Sequence, residues 1–339
     1  MKPTDFSKSL TDFLVSYLPG EKGASKNTII SYKDTFILFL TFLKDRKGIS
    51  ADQLYLKHIS KEIVLDFLNW IEEERKCCIA TRNVRLAAIH SFFQYLQYQK
   101  PEDLFLWQSI LSIPVKKTIK DTINYLSLEG VKLLLEQPNQ SSSHGRRDLA
   151  LLSLMYDSGA RVQEMIDLTP SMVRLEPPYT VKLIGKGRKA RIVPLLDIQL
   201  NFLKNYMCEN GLLEAFANQY PLFSNSKKEK LTRAGMNYIL TKYVKLAREK
   251  NLALIPERLS CHSLRHSKAM HLLQSGVNLV YIRDILGHSS IQVTEIYART
   301  DSQQKREAIE KAYTDVRPER EPSWLANDNL LEWLKSFSK

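Results

Sequence analysis

Apolar residues in the first hundred positions recur every three or four residues, a spacing typical of amphipathic helices. Four helices are predicted there: 6–18, 28–47, 60–70 and one that begins at Thr81. Ser25 is a suitable N-cap for the second helix, and Gly48 is suited to end it. Four or five helices in about 100 residues indicate a compact bundle. We expect this bundle to be a first, helical domain over residues 1–113.

The helical pattern breaks down over residues 114–124, where Pro114 is followed by three lysines. A basic segment without apolar periodicity is typical of an interdomain linker. A second domain is therefore expected over residues 125–316, followed by a C-terminal tail over residues 317–339.

The second domain is predicted to be mostly helical with one pair of strands. Residues 180–184 and 190–193 alternate apolar and polar side chains around a short loop that contains Gly185 and Gly187, so we expect a β-hairpin. Helices are predicted near 128–136, near 146–157, from Arg161, and near 197–208, 231–249, 262–275, 279–286, 290–298 and 301–313. The fold class is mainly α with a small β-sheet, as a helical domain followed by an α+β domain.

Composition narrows the class of protein. The chain has 339 residues, of which 44% are hydrophobic, and this is enough for about two folded domains. No apolar run approaches the ~18 residues that a membrane span needs, and the first residues lack the apolar core of a signal peptide. The four cysteines form no CxxC pair, which favours a reducing compartment. We expect a cytoplasmic protein with no membrane partner.

Positive charge is concentrated in the second part of the chain. The formal net charge is +12; residues 1–113 hold 15 basic and 13 acidic side chains, and the remainder hold 34 and 24. Such an excess points to a polyanionic partner. The densest basic run lies on the predicted hairpin: Lys182, Lys186, Arg188, Lys189 and Arg191. A second basic cluster at 227–233 is equally consistent with a solvated loop.

Six residues with catalytic potential follow one another at intervals of 25, 76, 3, 23 and 9 positions: Arg161, Lys186, His262, Arg265, His288 and Tyr297. Each is weak alone, because a helix arginine, a turn lysine or a single tyrosine is usually an ordinary surface or core residue. His262 and Arg265, three positions apart, share one helix face. His262 and His266 could also hold zinc, but no HExxH motif or cysteine pair completes such a site.

Taken in order, the six residues resemble the catalytic set of the tyrosine recombinase (phage integrase) family. The segments "SGARVQE", "IGKGRKARIVPL", "HSLRHSKAMHLL" and "ILGHSSIQVTEIYA" are similar to the family motifs, and Gln163 stands where many members have a small residue. The resemblance is strong over residues 125–300. It is looser over residues 20–100, where "SKNTIISYKDTFILFLTFL" and "TRNVRLAAIHSFFQYL" resemble the SAM-like core-binding domain. Within the family, the chain resembles a Xer-like or transposon-encoded site-specific integrase.

The resemblance implies DNA strand cleavage and rejoining through a 3′-phosphotyrosine at Tyr297. A phenol with a pKa near ~10 is a poor nucleophile at neutral pH, so the transition state needs strong stabilisation. Arg161 and Arg265 match the charge on the phosphate oxygens bidentately. The implied roles of the others are hydrogen bonding or proton relay for His262 and His288, protonation of the leaving 5′-oxygen for Lys186, and support of Arg161 for Glu164.

No metal, ATP or other cofactor is expected, because the arginines supply the positive charge and the sequence has neither GxxxxGK[ST] nor GxGxxG. The implied partner is double-stranded DNA with a specific recombination site, held in a C-shaped clamp. The predicted DNA contacts are Lys26, Arg82, Asn83, Arg85 and His90 in the first domain and Lys182, Arg188, Lys189 and Arg191 on the hairpin.

Members of the family act as tetramers on two DNA sites, and a homotetramer, as a dimer of dimers, is expected here. The tail, with its amphipathic stretch around 324–334, could dock on a sister subunit or back on its own chain. Whether a sister recombinase or an accessory factor is needed stays open, as do the target sequence and the choice between integration, excision, resolution and transposition. Two other hypotheses are a non-catalytic DNA-binding protein and a type IB topoisomerase.

Overall fold

The computed structural model describes residues 3–118, 123–300 and 330–336. By its internal contacts the chain divides into two compact units, Met1–Asp121 and Thr122–Lys339. Both are largely helical, and the described residues contain one three-stranded sheet, which confirms the predicted fold class. No helix in these ranges is long and apolar enough to cross a membrane.

The first unit consists of helices around an aromatic core. Its helices are α1 (Asp5–Asp12), extended by π-helical turns over Phe13–Glu21, then α2 (Lys26–Lys47), α3 (Lys61–Glu73), α4 (Ile79–Gln99) and α5 (Leu104–Leu111). Ser25 caps α2 by accepting a hydrogen bond from the Thr28 amide, and Gly48 ends it at a φ of 68°. Phe13, Phe36 and Phe92 meet edge to face in the core.

Two details of the first unit differ from the sequence expectation. The helix expected from Thr81 begins at Ile79, one residue after Cys78 in the N-cap position. Helix α5 was not predicted, because its run of apolar residues is too continuous to show a helical period. Trp107 of α5 is fully buried and its indole N–H donates to the Lys100 carbonyl, so α5 completes the core.

The second unit places a small sheet beside a helical core. Its elements are α6 (Leu128–Leu135), α7 (Ser143–Ser158), α8 (Val162–Ile166), β1 (Val173–Arg174), β2 (Thr180–Ile184), β3 (Ala190–Pro194), α9 (Asp197–Glu209), α10 (Arg233–Lys250), α11 (Cys261–Gln274), α12 (Leu279–Leu286) and α13 (Gln292–Thr300), with a last helix at Leu330–Ser336. The strands are antiparallel in the order β1-β2-β3, and Leu183 pairs with Arg191. Strand β1 was not predicted, because its two residues are too few to show an alternation of apolar and polar side chains. The helix expected at 301–313 lies outside the described residues.

Two left-handed glycines bring the elements around the site together. Gly159 ends α7 at a φ of 57° and Gly287 ends α12 at a φ of 65°, conformations that favour glycine. A Cβ at Gly159 would lie 2.6 Å from Cδ2 of Leu286, so α7 and α12 approach closely at this point. The turns after these two glycines carry Arg161 and His288.

Candidate active site

Arg161 is fixed at the start of α8 by contacts on two sides. Its backbone amide donates to Oε2 of Glu164 at 2.8 Å, and its Nη1 donates to Oε1 of the same carboxylate at 2.9 Å. Its Nη2 donates to the Gly287 carbonyl at 3.0 Å. The side chain is still 34% exposed, so the rest of the guanidinium is open to a ligand.

Glu164 is a buried carboxylate shared by two arginines. Its side chain is 2% exposed, and Arg191 donates to it from Nη1 at 2.9 Å and from Nη2 at 2.7 Å. Burial raises the pKa of this carboxyl, but the hydrogen bonds from Arg191 and from the Arg161 amide outweigh burial and lower it to about 2. Glu164 is therefore charged at neutral pH.

Arg191 was expected to contact DNA phosphate, and the structure gives it an internal position instead. It shares a strand face with buried Val193, because side chains on β3 alternate between the two sides. Its Nε donates to the Ile285 carbonyl at 2.7 Å and both Nη atoms bind Glu164. Arg191 thus joins β3 to α8 and α12 and positions the residues around Arg161.

The other basic residues of the hairpin point outward. Lys182, Arg188 and Lys189 are exposed. The turn is tight, since Gly187 and Arg188 adopt φ values of 72° and 58°. The backbone of Lys186 lies in this turn, and its side chain is outside the part that the structure describes.

Arg265 is an almost fully buried cation with spare donors. It is 1% exposed, and its Nη1 donates to the Gly159 carbonyl at 2.7 Å. Among the described residues, its Nε and Nη2 have no hydrogen-bond partner. Burial and the positive charges of Arg161 and Arg191 lower its pKa to about 9, so it remains protonated at neutral pH. Buried donors without partners are suited to an oxyanion, which would satisfy them bidentately.

Two histidines predicted for the site lie near its arginines. His262 on α11 is exposed overall, and partial desolvation of its imidazole together with the charges of Arg265 and Arg161 lowers its pKa. His288 stacks on the Tyr297 ring at 6.3 Å, and its Nδ1 lies 2.8 Å from Thr294 Oγ1. Burial and the nearby arginines lower the pKa of His288 to about 3, so it is neutral at pH 7.

Tyr297 on α13 is 1% exposed, and its hydroxyl lies 2.9 Å from Nδ1 of His266. Burial raises its pKa, while the charges of Arg265 and Arg161 act in the opposite direction. His266 was considered above only as a zinc ligand. A signal was present, because His266 directly follows Arg265 on α11, but nothing in the sequence shows that α13 returns to this helix.

A basic cavity of about 550 Å³ adjoins these groups. Its charged or titratable lining consists of Arg161, Lys189, Arg191, Arg283, Asp284 and His288. Arg283 was not predicted from the sequence, and it pairs with Asp284 next to it. The volume and the surplus of positive charge suit a phosphate group with its flanking sugars.

The predicted DNA contacts in the first unit differ in their exposure to solvent. Lys26, at the start of α2, is exposed. Arg82 is 3% exposed, and its Nη1 donates to the Pro114 carbonyl at 3.2 Å. Its side chain therefore fixes the segment around Pro114 and is not available on the surface. This is a correction to its predicted role. Arg82 lies one α4 turn from Leu86 and two turns from Ile89, both core residues, which explains its inward position.

The remaining three predicted contacts in this unit are half-buried. Asn83 exchanges hydrogen bonds with the backbone of Lys116, donating to its carbonyl at 2.8 Å and accepting from its amide at 3.2 Å. Arg85 donates to the Ser31 carbonyl at 3.1 Å. His90 has a buried Nε2 without a partner among the described residues. None of the three projects freely from the surface.

Two family models match this chain. The phage integrase family model matches residues 124–304, and the model of the phage integrase N-terminal SAM-like domain matches residues 11–100. The chain belongs to the phage integrase family. Membership makes it an enzyme of the tyrosine recombinase type and confirms the family and activity class that the motifs predict.

Individual relatives of this tyrosine recombinase extend over nearly the whole chain. It is 32% identical over 336 residues to integrase/recombinase y4rC of Sinorhizobium fredii, covering 99% of both chains. It is 31% identical over 306 residues to tyrosine recombinase XerD of Staphylococcus epidermidis, covering 90% of this chain and 97% of the relative.

Solved structures show the same fold. The XerH site-specific recombinase bound to palindromic difH substrate, a post-cleavage complex, has a TM-score of 0.68 at 25% identity and covers 85% of this chain and 80% of that one. The Tn1549 transposon integrase in complex with transposon right-end DNA has a TM-score of 0.67 at 14% identity, covering 89% and 98%, a likeness of fold alone.

Proposed function

We propose that this recombinase cleaves and rejoins DNA at a specific site through a covalent 3′-phosphotyrosine at Tyr297. The observation that carries the proposal is the buried guanidinium of Arg265, whose Nε and Nη2 have no partner among the described residues and whose charge acts on the Tyr297 hydroxyl. A scissile phosphate bound at Arg265 and Arg161 would satisfy those donors and lie within reach of the attacking oxygen.

The chemistry follows from the charges of the site. The Tyr297 oxygen attacks phosphorus and the bond to the 5′-oxygen breaks, so the phosphodiester energy is kept in the phosphotyrosine. Arg161 and Arg265 stabilise the negative charge that develops on the non-bridging oxygens. Lys186 in the hairpin turn protonates the 5′-oxygen, and His262 and His288 hydrogen-bond to the phosphate. These roles need no metal, ATP or other cofactor.

The partner is a double-stranded DNA site, and two sites are brought together by a homotetramer. Support comes from the relatives, since XerH is bound to difH substrate and the Tn1549 integrase is in complex with transposon DNA. In this proposal the helical domain (1–113), the linker (114–124) and the catalytic domain (125–316) enclose the DNA as a C-shaped clamp in the bacterial cytoplasm. The tail over 317–339 docks on a sister subunit, and deleting 318–339 should abolish multimers on DNA.

The test is a covalent trap. End-labelled duplexes that span the flanks of the protein's own gene, nicked near candidate sites, are incubated with the protein in EDTA and run on a denaturing gel. A protein-linked band with the wild type and none with Tyr297→Phe is the expected result. DNA binding in native gels without any linked band would overturn the proposal in favour of an accessory DNA-binding protein. Linkage on one duplex, without any need for a second site, would indicate a topoisomerase.

A further inference from the structure

The hydroxyl of Tyr297 makes its hydrogen bond to a histidine outside the predicted catalytic set. His266 Nδ1 and Tyr297 Oη are 2.9 Å apart, and the two rings meet edge to face at 5.6 Å. The tyrosine is 1% exposed, so bulk water has little access to its proton. A proton leaving this phenol needs an acceptor that is already in place.

The charge states of the two groups allow this hydrogen bond to run from the phenol to the imidazole. Burial, His262 and Arg265 lower the pKa of His266 to about 4, so its imidazole is neutral at pH 7. Burial raises the pKa of Tyr297, so the phenol is protonated. A neutral imidazole has one acceptor nitrogen; when the phenol donates, Nδ1 is that acceptor and the ring proton lies on Nε2.

The other two histidines of the site are oriented differently. His288 presents the face of its ring to Tyr297, with an interplanar angle of 13°, and its Nδ1 contacts Thr294 Oγ1. His262 packs against the His266 ring at 4.5 Å. Among the described residues, the Tyr297 hydroxyl hydrogen-bonds to His266. His266 therefore differs from His262 and His288 in that its ring nitrogen contacts the hydroxyl of Tyr297.

We infer that His266 is a further catalytic residue, the general base that removes the Tyr297 proton during strand cleavage. This inference rests on the proposed function. As the bond between Oη and phosphorus forms and the bond from phosphorus to the 5′-oxygen breaks, the phenolic proton moves to Nδ1. The 5′-oxygen takes a separate proton from Lys186. In rejoining, the imidazolium of His266 returns its proton to the departing tyrosine oxygen, so no oxidant, reductant or further reactant is needed.

The surroundings of His266 keep it a proton acceptor. The titratable or charged groups facing it are His262 and Arg265 on its own helix and Tyr297 on α13, with His288 beyond the tyrosine ring. The positive charge of Arg265 disfavours a resting imidazolium. A bound phosphate brings negative charge and favours the imidazolium that forms during attack. The pH dependence of cleavage is therefore the most direct readout.

The variant His266→Asn distinguishes a residue that only orients Tyr297 from one that accepts its proton. The asparagine Oδ1 can occupy the place of Nδ1 and accept the same hydrogen bond, but it cannot take the proton. Cleavage of the nicked substrate in a single turnover should fall by about 10²–10⁴-fold at pH 7, while DNA binding in native gels stays unchanged. The wild-type rate should be flat between about pH 7 and 8, below the pKa of about 9 of Arg265. The variant rate should rise up to tenfold per pH unit, because hydroxide then takes the proton.

The matched control is His271→Asn. His271 lies on the same helix, and its Nδ1 makes the same kind of contact with a tyrosine hydroxyl, Tyr156 Oη, at 2.8 Å. Its removal should leave the pH profile flat and the rate within a few-fold of wild type. A His266→Asn profile parallel to wild type would mean that His266 only positions the tyrosine, and the inference would be wrong.

A second measurement needs no cleavage. Nitrogen-15 NMR of histidine-labelled full-length protein, with the His266 signals assigned by their absence in His266→Asn, reports which ring nitrogen carries the proton. We expect Nδ1 to be unprotonated and Nε2 protonated in the wild type. A protonated Nδ1 would overturn the inference whether or not the enzyme cleaves. An acceptor Nδ1 in a protein that never forms a Tyr297 adduct would instead locate the failure in the proposed function.

Discussion

Replacing Glu164 by glutamine tests the arginine network that supports the site. The substitution keeps the size of the side chain and removes the negative charge between Arg161 and Arg191. Arg191, whose side chain is 10% exposed, then keeps its positive charge without a counter-ion. A buried ion pair broken on one side usually costs about 3–5 kcal/mol.

The pKa of Glu164 gives an independent value for the contribution of its charge to folding stability. A shift of this carboxyl from 4.5 to about 2 corresponds to about 3 kcal/mol of preference for the charged form in the folded protein. Because the folded pKa is lower than the unfolded one, this stabilisation is complete above pH 4.5 and is lost as the pH falls towards 2. At pH 3.5 it should already be smaller by about 1.4 kcal/mol.

Hydrogen exchange of the α7 amides in the full-length protein measures the opening free energy of the second unit without assuming that both units unfold together. Glu164→Gln should lower it by about 3 kcal/mol at pH 7 and by less at pH 3.5. Asp167→Asn is the control, since Asp167 makes an exposed ion pair with Lys230 and should change stability by less than about 0.5 kcal/mol. A loss below about 1 kcal/mol for Glu164→Gln, or one independent of pH, would refute the reasoning.

Two comparisons test other features. Gly159→Ala places a Cβ 2.6 Å from Cδ2 of the fully buried Leu286, whereas at Gly276 only the positive φ opposes an alanine. Gly159→Ala should therefore lower the free energy of unfolding by about 1–3 kcal/mol more than Gly276→Ala does, and its Tm should fall further. Equal losses in the two variants would contradict the close approach of α7 and α12. Arg82→Met should lower the free energy of unfolding by about 1–3 kcal/mol without changing the salt dependence of DNA binding. Lys26→Ala should instead reduce the slope of log K for DNA binding against log salt by about one. A reduced slope for Arg82→Met and an unchanged slope for Lys26→Ala would place Arg82 on the DNA surface.

Local signals were enough to predict most elements. Ser25 and Gly48 marked the ends of α2, and strict alternation marked the hairpin of β2 and β3. These features depend on residues a few positions apart, so the sequence carries them directly. The family motifs likewise pointed to Arg161 and Tyr297 as candidate site residues, because the spacing of chemically distinctive residues is visible without a structure.

What the sequence could not show depends on contacts between distant residues. Arg191 looked like one more cation on a basic hairpin, and only the packing of β3 against α8 and α12 turns it toward Glu164. His266 became a partner of Tyr297 because α13 packs against α11. Arg82 was judged by its charge, although its place on α4 follows the core face.

In the proposed reaction, the charges of the inner site favour the transition state over the bound substrate. Arg161, Arg191 and Arg265 with Glu164 leave a surplus of two positive charges, while His266 and His288 stay neutral because burial and these arginines lower their pKa. A phosphodiester carries one negative charge. Once the tyrosine has lost its proton, the pentacoordinate phosphorus group approaches two. The attraction therefore grows as the bond to Tyr297 forms, and an interaction that is stronger in the transition state than in the ground state is the kind that accelerates a reaction. Histidines charged at rest would strengthen binding of the intact strand instead and could not accept the phenolic proton.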